Sequence, residues 1–508
     1  MKKEVVVVKN TIFMFLRMFF VMFLTLFSTR LLLEELGLEK YGIYDLVFGV
    51  VLLFNILGGA LATALQRFYN ISYNNKDKLS IIYSVSLKLF FIVSFLVLTL
   101  GLIFSSAIVG ALNIPTYSLI ETEFFFRLCT LNLVFIILRL PFTALILSNE
   151  KMGLYSILSI LDTIFKFLSV LLLTYLHFSE SKLIDFGYLI DFFSFFITVL
   201  YVVVCYSKLD MPSLKWDNGK TTYKEILSFS GWTLFGSAAS LYSQQGLSIL
   251  INKFFSVIVN AANAVSQQVY TAVYQFVSSF QTAFTPYLMK NYIEGDKEKI
   301  SKILIFFSRL SVFLYLLIAV PLFIFSKQII VLWLGQEPQY AVIFVRLTLI
   351  IVFFEVLSAP LWITIQASGK IEKYQIIISG ILIANLPLAY LFFLIWNNPI
   401  WAFLAKILTG FFAYIYRLYM MVEIIELSYK KYIYSVVFKV LLLLGCMTPV
   451  FWYFMSKAME MSILILFSKI VFIVLFFSIL SYLLLIGKDE KKEINIIILN
   501  FINRIKSI

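Results

Sequence analysis

Residues 125–155 read FFRLCTLNLVFIILRLPFTALILSNEKMGLY, and residues 344–374 read FVRLTLIIVFFEVLSAPLWITIQASGKIEKY. At a constant shift of 219 positions, Phe125, Arg127, Leu128, Leu138, Pro141, Lys151 and Tyr155 fall on Phe344, Arg346, Leu347, Leu357, Pro360, Lys370 and Tyr374. The same shift lays Thr63, Ala64, Tyr73, Asp77 and Lys78 on Thr282, Ala283, Tyr292, Asp296 and Lys297. After a two-residue slip, Ile103, Phe104 and Ser105 fall on Ile324, Phe325 and Ser326. Apolar matches carry little weight in an apolar chain, whereas arginine, proline and an Asp-Lys pair recurring in one register mark an internal repeat.

Around these two stretches lies a chain of 508 residues, 61% hydrophobic and 14% charged, with a mean hydropathy of +0.96. Soluble domains carry about 25% charged residues, so this chain reads as an all-α, polytopic integral membrane protein. Runs of about 20 apolar residues number about fourteen. The repeat then contains six spans. Six is even, so the halves share one orientation, the parallel-repeat arrangement of secondary transporters. The expected organisation is an N-terminal lobe over 1–206, a linker over 207–228, a C-terminal lobe over 229–427, spans 13 and 14 over 428–486, and a basic tail over 487–508.

The net charge is +13, and in so apolar a chain it points to anionic lipid and cytoplasmic loops rather than nucleic acid. Assigned to alternate sides, the loops place about 24 Lys/Arg on the N-terminal side and about 5 on the other, so both termini are expected in the cytoplasm. The first apolar run lacks a small-residue cleavage site before Glu34 and reads as a retained span. The single histidine, His177, and the scattered Cys129, Cys205 and Cys446 have none of the spacing of a metal site or disulfide framework. No loop accommodates a catalytic domain, no G-x-x-x-x-G-K-[ST] occurs, and paired carboxylates on an exposed loop are missing, so neither an enzyme nor an ATP-driven pump is expected.

Charges at membrane depth cost about 2.5–3.5 kcal/mol each even on the lenient insertion scale, which makes them the informative residues. Arg17 lies about 10 Å into the first span, with Asn10 and Ser28 near its face and Leu24 between them. Arg30 has Glu34 four residues on, a local ion pair, and is a secondary candidate. Arg139 sits about 14 Å from the cytoplasmic end of span 4, too deep for easy snorkelling. Arg127 and Arg346 are repeat partners, suited equally to lobe packing and to substrate contact. Asp162 and Lys166 form an i, i+4 couple, whereas Glu355 has no local partner; both carboxylates are candidates for coupling to a proton or sodium gradient. Span 8 carries Asn263, Gln267, Tyr270, Tyr274, Ser278 and Gln281 at helical spacing, and span 7 adds Ser237, Ser240, Gln244 and Ser248. Amides, hydroxyls and tyrosines pair with sugar hydroxyls, and arginines pair with phosphates, so the combination points to an anionic, sugar-bearing ligand.

Residues 36–44, Leu-Gly-Leu-Glu-Lys-Tyr-Gly-Ile-Tyr, together with Gln66-Arg67-Phe68, Phe229-Ser230-Gly231-Trp232 and Pro286, give the chain a resemblance to a known family. It resembles the bacterial polysaccharide exporters, the O-antigen and repeat-unit flippases of the multidrug, oligosaccharidyl-lipid and polysaccharide (MOP) superfamily. The resemblance implies a flippase in the inner (cytoplasmic) membrane, and a monomer is expected. Such a protein carries undecaprenyl-diphosphate-linked oligosaccharide from the cytoplasmic to the periplasmic leaflet by alternating access, alongside membrane lipids and polysaccharide polymerase machinery. It also implies a basic cavity formed mainly by spans 1, 2, 7 and 8. Two relatives in that superfamily compete with this reading. A cation-coupled drug exporter would place carboxylates near mid-membrane in its N-terminal lobe, where the first four spans here hold arginines. A lipid-linked peptidoglycan precursor flippase also has fourteen spans and a cationic cavity, and the Y-G-x-Y element tilts away from it.

Overall fold

In a computed structural model the chain is described at residues 2–72, 75–149, 151–176, 178–215, 220–293, 296–368, 371–456 and 462–484. Tyr73, His177, linker residues 216–219, Lys370 and the basic tail lie outside these. The same holds for the side chains of Arg67, Ser230, Trp232, Ser237, Ser240 and Pro286.

The described residues fold into helices, as an apolar solvent demands of a backbone whose polar groups must be satisfied within each segment. They are α1 (Lys2–Ile71), α2 (Lys76–Ala111), α3 (Leu119–Ser148), α4 (Met152–Leu172) and α5 (Lys182–Lys208). Next come α6 (Lys220–Phe254), α7 (Val257–Ile293), α8 (Lys297–Ile324), the short α9 (Ser326–Leu334), α10 (Ala341–Ser368), α11 (Ile371–Trp396) and α12 (Ile400–Ile425). Finally α13 (Tyr429–Tyr432) passes through a π-helical stretch, Ile433–Phe438, into α14 (Lys439–Ser456), and α15 (Ile463–Leu484) follows.

The first two expected spans form one helical run broken only at Gly37, whose φ of 73° and ψ of 170° lie in a region open essentially to glycine alone. Asn75 caps α2 through its side chain on the Lys78 N–H at 3.0 Å, and Asp296 caps α8 on the Lys299 N–H at 3.0 Å. The matched prolines of the repeat, Pro141 and Pro360, both lie inside helices, α3 and α10. Among the described residues, eleven helices are long and apolar enough to cross a membrane. The run holding spans 1 and 2 counts once among them, and α6 and α7 are not included. Those two are as long as the rest and too rich in serine, asparagine and glutamine to qualify.

The helices pack as two compact units, each described by itself. Unit 1 comprises 1–268, 333–344 and 379–405; unit 2 comprises 269–332, 345–378 and 406–508. The units are drawn by packing rather than by the sequence repeat: α6, which opens the second repeat, packs along α1 in unit 1. Within unit 1, α1 also packs on α3 and α4, and α3 packs on α2 and α5. On either side of the kink in α1, Glu35 pairs with Lys182 at 2.7 Å and Lys40 with Glu121 at 2.8 Å. In unit 2, α8 carries α15 on a Phe313–Phe477 ring stack, centroids 6.0 Å apart, and Tyr432 shares a hydrogen bond of 3.2 Å with Ser308.

Candidate functional site

Unit 1 draws the deep charges of three helices together. On α4, Tyr155, Ser159, Asp162 and Lys166 recur at steps of four, three and four, one continuous helical face. From α3, Arg139 reaches Asp162 with both terminal nitrogens, at 2.9 and 3.4 Å, and Lys166 approaches the same carboxylate at 3.1 Å. Side-chain exposures of 12% for Arg139 and 18% for Asp162 make this pair largely desolvated, with Lys166, 50% exposed, at its edge. From α1, Arg17 donates to Ser159 Oγ at 3.0 Å and lies over the Tyr155 ring, 5.1 Å from its centroid. On α5, Tyr201 lies 5.9 Å from the Arg139 guanidinium and within electrostatic reach of Arg17 and Asp162.

Two cations, Arg139 and Lys166, therefore share one carboxylate, and Arg17 lies beside them on the same face of α4. The Nε of Arg17 is buried without a hydrogen-bond partner, a loss of about 1–3 kcal/mol until an acceptor arrives. Arrayed guanidinium N–H groups of this kind suit phosphate oxygens.

The repeated arginines do something else, and do it twice. Arg127 Nε donates to Ser105 Oγ at 3.2 Å, and Arg346 Nε donates to Ser326 Oγ at 2.8 Å. Ser105 and Ser326 are the pair that the repeat matched after its slip, so the two halves contain one and the same tether. Arg127 also pairs with Glu123 at 2.5 Å, while Arg346 caps the Phe323 carbonyl at 3.2 Å and lies over that residue's ring. Arg30 is half-buried on α1.

The polar face of α7 divides between the units. Asn263 is buried in unit 1 with its Oδ1 unpartnered, and Gln267 is half-buried. Gln244, on α6, is exposed. In unit 2, Tyr270 stacks on Tyr274, centroids 5.7 Å apart, and donates to Glu355 at 2.6 Å. Gln281 donates to the Val356 carbonyl at 3.3 Å, and Ser278 turns to the Gln275 carbonyl at 3.1 Å.

Four features escaped the sequence reading. Lys406 lies 5.4 Å from the Tyr270 ring centroid and within Coulombic reach of Glu355. Arg417 donates to Tyr374 Oη at 2.8 Å. Both are charges inside an apolar run, the same signal that singled out Arg17 and Arg139. In unit 1, Asn260 binds Ser248 at 2.6 Å and reaches the Gly42 carbonyl and Asp45, each at 3.4 Å. Asp191, on α5, is buried with Asn132 of α3 beside it.

No protein-family model matches the chain, and no curated protein sequence is significantly similar to it. Solved structures are similar in shape. The lipid II flippase MurJ, in an inward closed conformation, superposes with a TM-score of 0.68 at 15% identity, covering 92% of this chain and 98% of that one. An inward-facing multidrug-resistance transporter of the MATE family gives 0.66 at 12% identity, over 80% and 96%. A MOP-superfamily transporter from Pyrococcus furiosus, whose binding pocket is described as of reversed polarity, gives 0.61 at 12% identity, over 82% and 96%. At such identities the likeness is one of fold: this chain is a multi-pass helical membrane protein with the fold of the MOP transporters.

Proposed function

We propose that the protein is a flippase for a lipid-linked oligosaccharide joined through a diphosphate, in the manner of the undecaprenyl-diphosphate carriers of bacterial inner membranes. The observation that carries this reading is Arg17 on the α4 face that also holds the Arg139–Asp162–Lys166 cluster, with the Arg17 Nε buried and without an acceptor among the described residues. The diphosphate docks on Arg17 and on the outer edge of the Arg139–Lys166 pair. The amides and tyrosines of α7 accompany the glycan, and the lipid tail stays in the bilayer. Arg127 and Arg346 hold helices together and do not touch substrate. The first lobe over 1–206 and the second over 229–427 rock about the cavity, with both termini in the cytoplasm. A proton or sodium gradient drives the cycle, with Asp162 and Glu355 as the groups offered for coupling.

Two readings compete, and the measurements separate them. A peptidoglycan precursor flippase is favoured by the MurJ likeness in fold and also recognises a diphosphate, whereas a drug exporter does not. Purified protein in zwitterionic nanodiscs should bind farnesyl diphosphate, and Arg17→Gln should weaken that binding at least tenfold, about 1.4 kcal/mol. In a strain lacking the protein, lipid-linked glycan should accumulate on the cytoplasmic leaflet while surface polysaccharide disappears. Wild-type binding of farnesol equal to that of farnesyl diphosphate would remove the diphosphate site. Arrest of cell-wall synthesis with surface polysaccharide intact would turn the reading to the peptidoglycan precursor.

A further inference from the structure

Unit 2 contains a second charged strip, and its chemistry differs from that of the arginine cluster. Along α12, Lys406 and Arg417 stand eleven residues apart, about 16 Å along the helix axis. Between them α10 supplies Glu355, and α7 supplies Tyr270 and Tyr274. Glu355 lies within Coulombic reach of both Lys406 and Arg417. Beside Arg417, Tyr374 of α11 stacks on Trp362 of α10, centroids 4.7 Å apart and planes 23° from parallel. Trp362, Tyr270, Glu355, Lys406 and Arg417 are all half-buried.

The charges do not balance. Two cations meet a single carboxylate, and neither Lys406 nor Arg417 makes an ion pair among the described residues. Arg417 lies eight residues, about 12 Å, before the end of α12, deeper than an interfacial anchor. Its Nε is fixed by Tyr374 Oη at 2.8 Å, and its guanidinium lies 5.8 Å from that ring's centroid. The group is thus held in one orientation, and its two terminal nitrogens carry no hydrogen bond among the described residues.

A planar fork held this way matches a carboxylate in two-point contact. Glu355 disfavours a more highly charged phosphate at the same place while accepting hydroxyls, and Tyr270, Tyr274 and Trp362 present the aromatic and hydroxyl surface that a sugar ring meets. We propose that Arg417, oriented by Tyr374, binds the carboxylate of an acidic sugar, a hexuronic acid, within the transported glycan. This names the substrate class of the flippase proposed above and rests on that reading for its physiological meaning, though binding itself does not.

The test uses the full-length protein in zwitterionic nanodiscs and saturation-transfer NMR, which reads weak sugar binding directly. The probes are methyl glucuronide and methyl glucoside at equal concentration. Wild-type protein should transfer at least fivefold more saturation to the glucuronide. Arg417→Gln should bring that signal down to the glucoside level, Arg17→Gln should leave it unchanged, and Arg417→Lys should lose at least half of it. Equal signals from the two sugars on wild-type protein overturn the proposal without any variant, and so does a full glucuronide signal in a folded Arg417→Gln protein. If farnesyl diphosphate fails to bind while the glucuronide preference stands, the diphosphate reading falls and the acidic-sugar site remains. If farnesyl diphosphate binds and the preference is absent, the reverse holds.

Discussion

Arg17 and Arg139 occupy one cluster and should respond to substitution in opposite ways. Arg139 shares a desolvated carboxylate with Lys166; removing it leaves Asp162 half-answered, and breaking a buried pair typically costs about 3–5 kcal/mol. Arg139→Gln should therefore lower stability in detergent-based unfolding, and Asp162→Asn in the same chain should restore most of the loss. Arg17 has one hydrogen bond and an unpartnered Nε, so Arg17→Met should leave stability unchanged within about 0.5 kcal/mol, or raise it, while removing diphosphate binding. A fall in stability for Arg17→Met equal to that for Arg139→Gln would make Arg17 a structural residue. The depth of each charge was legible from span position alone, which is how both arginines were found. Their partners were not: Asp162 and Lys166 read as a self-contained couple because only the packing of α3 on α4 delivers Arg139 to them. Glu355 read as partnerless because Tyr270 is 85 positions away in sequence. Lys406 and Arg417 carry the same depth signal, masked in the sequence by the more numerous arginines of the first lobe.

At the scale of helices, the Y-G-x-Y stretch acquires a physical reason. A Cβ on Gly42 would sit 2.0 Å from the Val257 carbonyl oxygen, a backbone atom at the start of α7, so the close approach of α1 and α7 requires glycine there. The same approach lets Asn260 reach the Gly42 carbonyl. Gly42→Ala should cost about 1–3 kcal/mol through overpacking and reduce transport in proportion to the folded protein lost, measured as surface glycan against membrane-inserted protein. The Arg–Ser tether makes a second prediction at this scale, because the repeat uses it twice. Double-mutant cycles on Arg127 with Ser105, and on Arg346 with Ser326, should each give a favourable coupling, smaller for Arg127, whose side chain is 47% exposed and screened accordingly. Coupling in one half and none in the other would mean that the matched residues are not structural equivalents. The repeat register was readable because arginine, proline and serine do not recur by chance in apolar sequence. The break between the first two spans was readable as well, since Glu34, Glu35 and Glu39 interrupt the apolar sequence there, and Gly37 supplies the non-helical φ and ψ that separate the two helices.

Loop charge predicts how the whole molecule is oriented, and orientation decides the direction in which any substrate is moved. Assigned to alternate sides, the loops hold about 24 Lys/Arg on one side and about 5 on the other, a bias that predicts Lys78 and Lys430 in the cytoplasm and Tyr175 and Glu337 outside it. Lys78 lies at the start of α2, Lys430 on α13, Tyr175 after α4, and Glu337 between α9 and α10. In a chain whose Cys129, Cys205 and Cys446 are replaced by alanine, single cysteines at these four positions should report the orientation. Tyr175→Cys and Glu337→Cys should react with a membrane-impermeant maleimide in intact spheroplasts, whereas Lys78→Cys and Lys430→Cys should react only after permeabilisation. Tyr175 is 79% exposed and Lys430 is exposed, so a failure to label reports the side of the membrane rather than burial. Labelling of Lys430→Cys in intact spheroplasts, with Glu337→Cys protected, would invert the protein. The arginine cluster lies on helices whose ends would then exchange sides, and a cytoplasmic donor leaflet would no longer match the basic face, so export would give way to uptake as the direction this architecture serves.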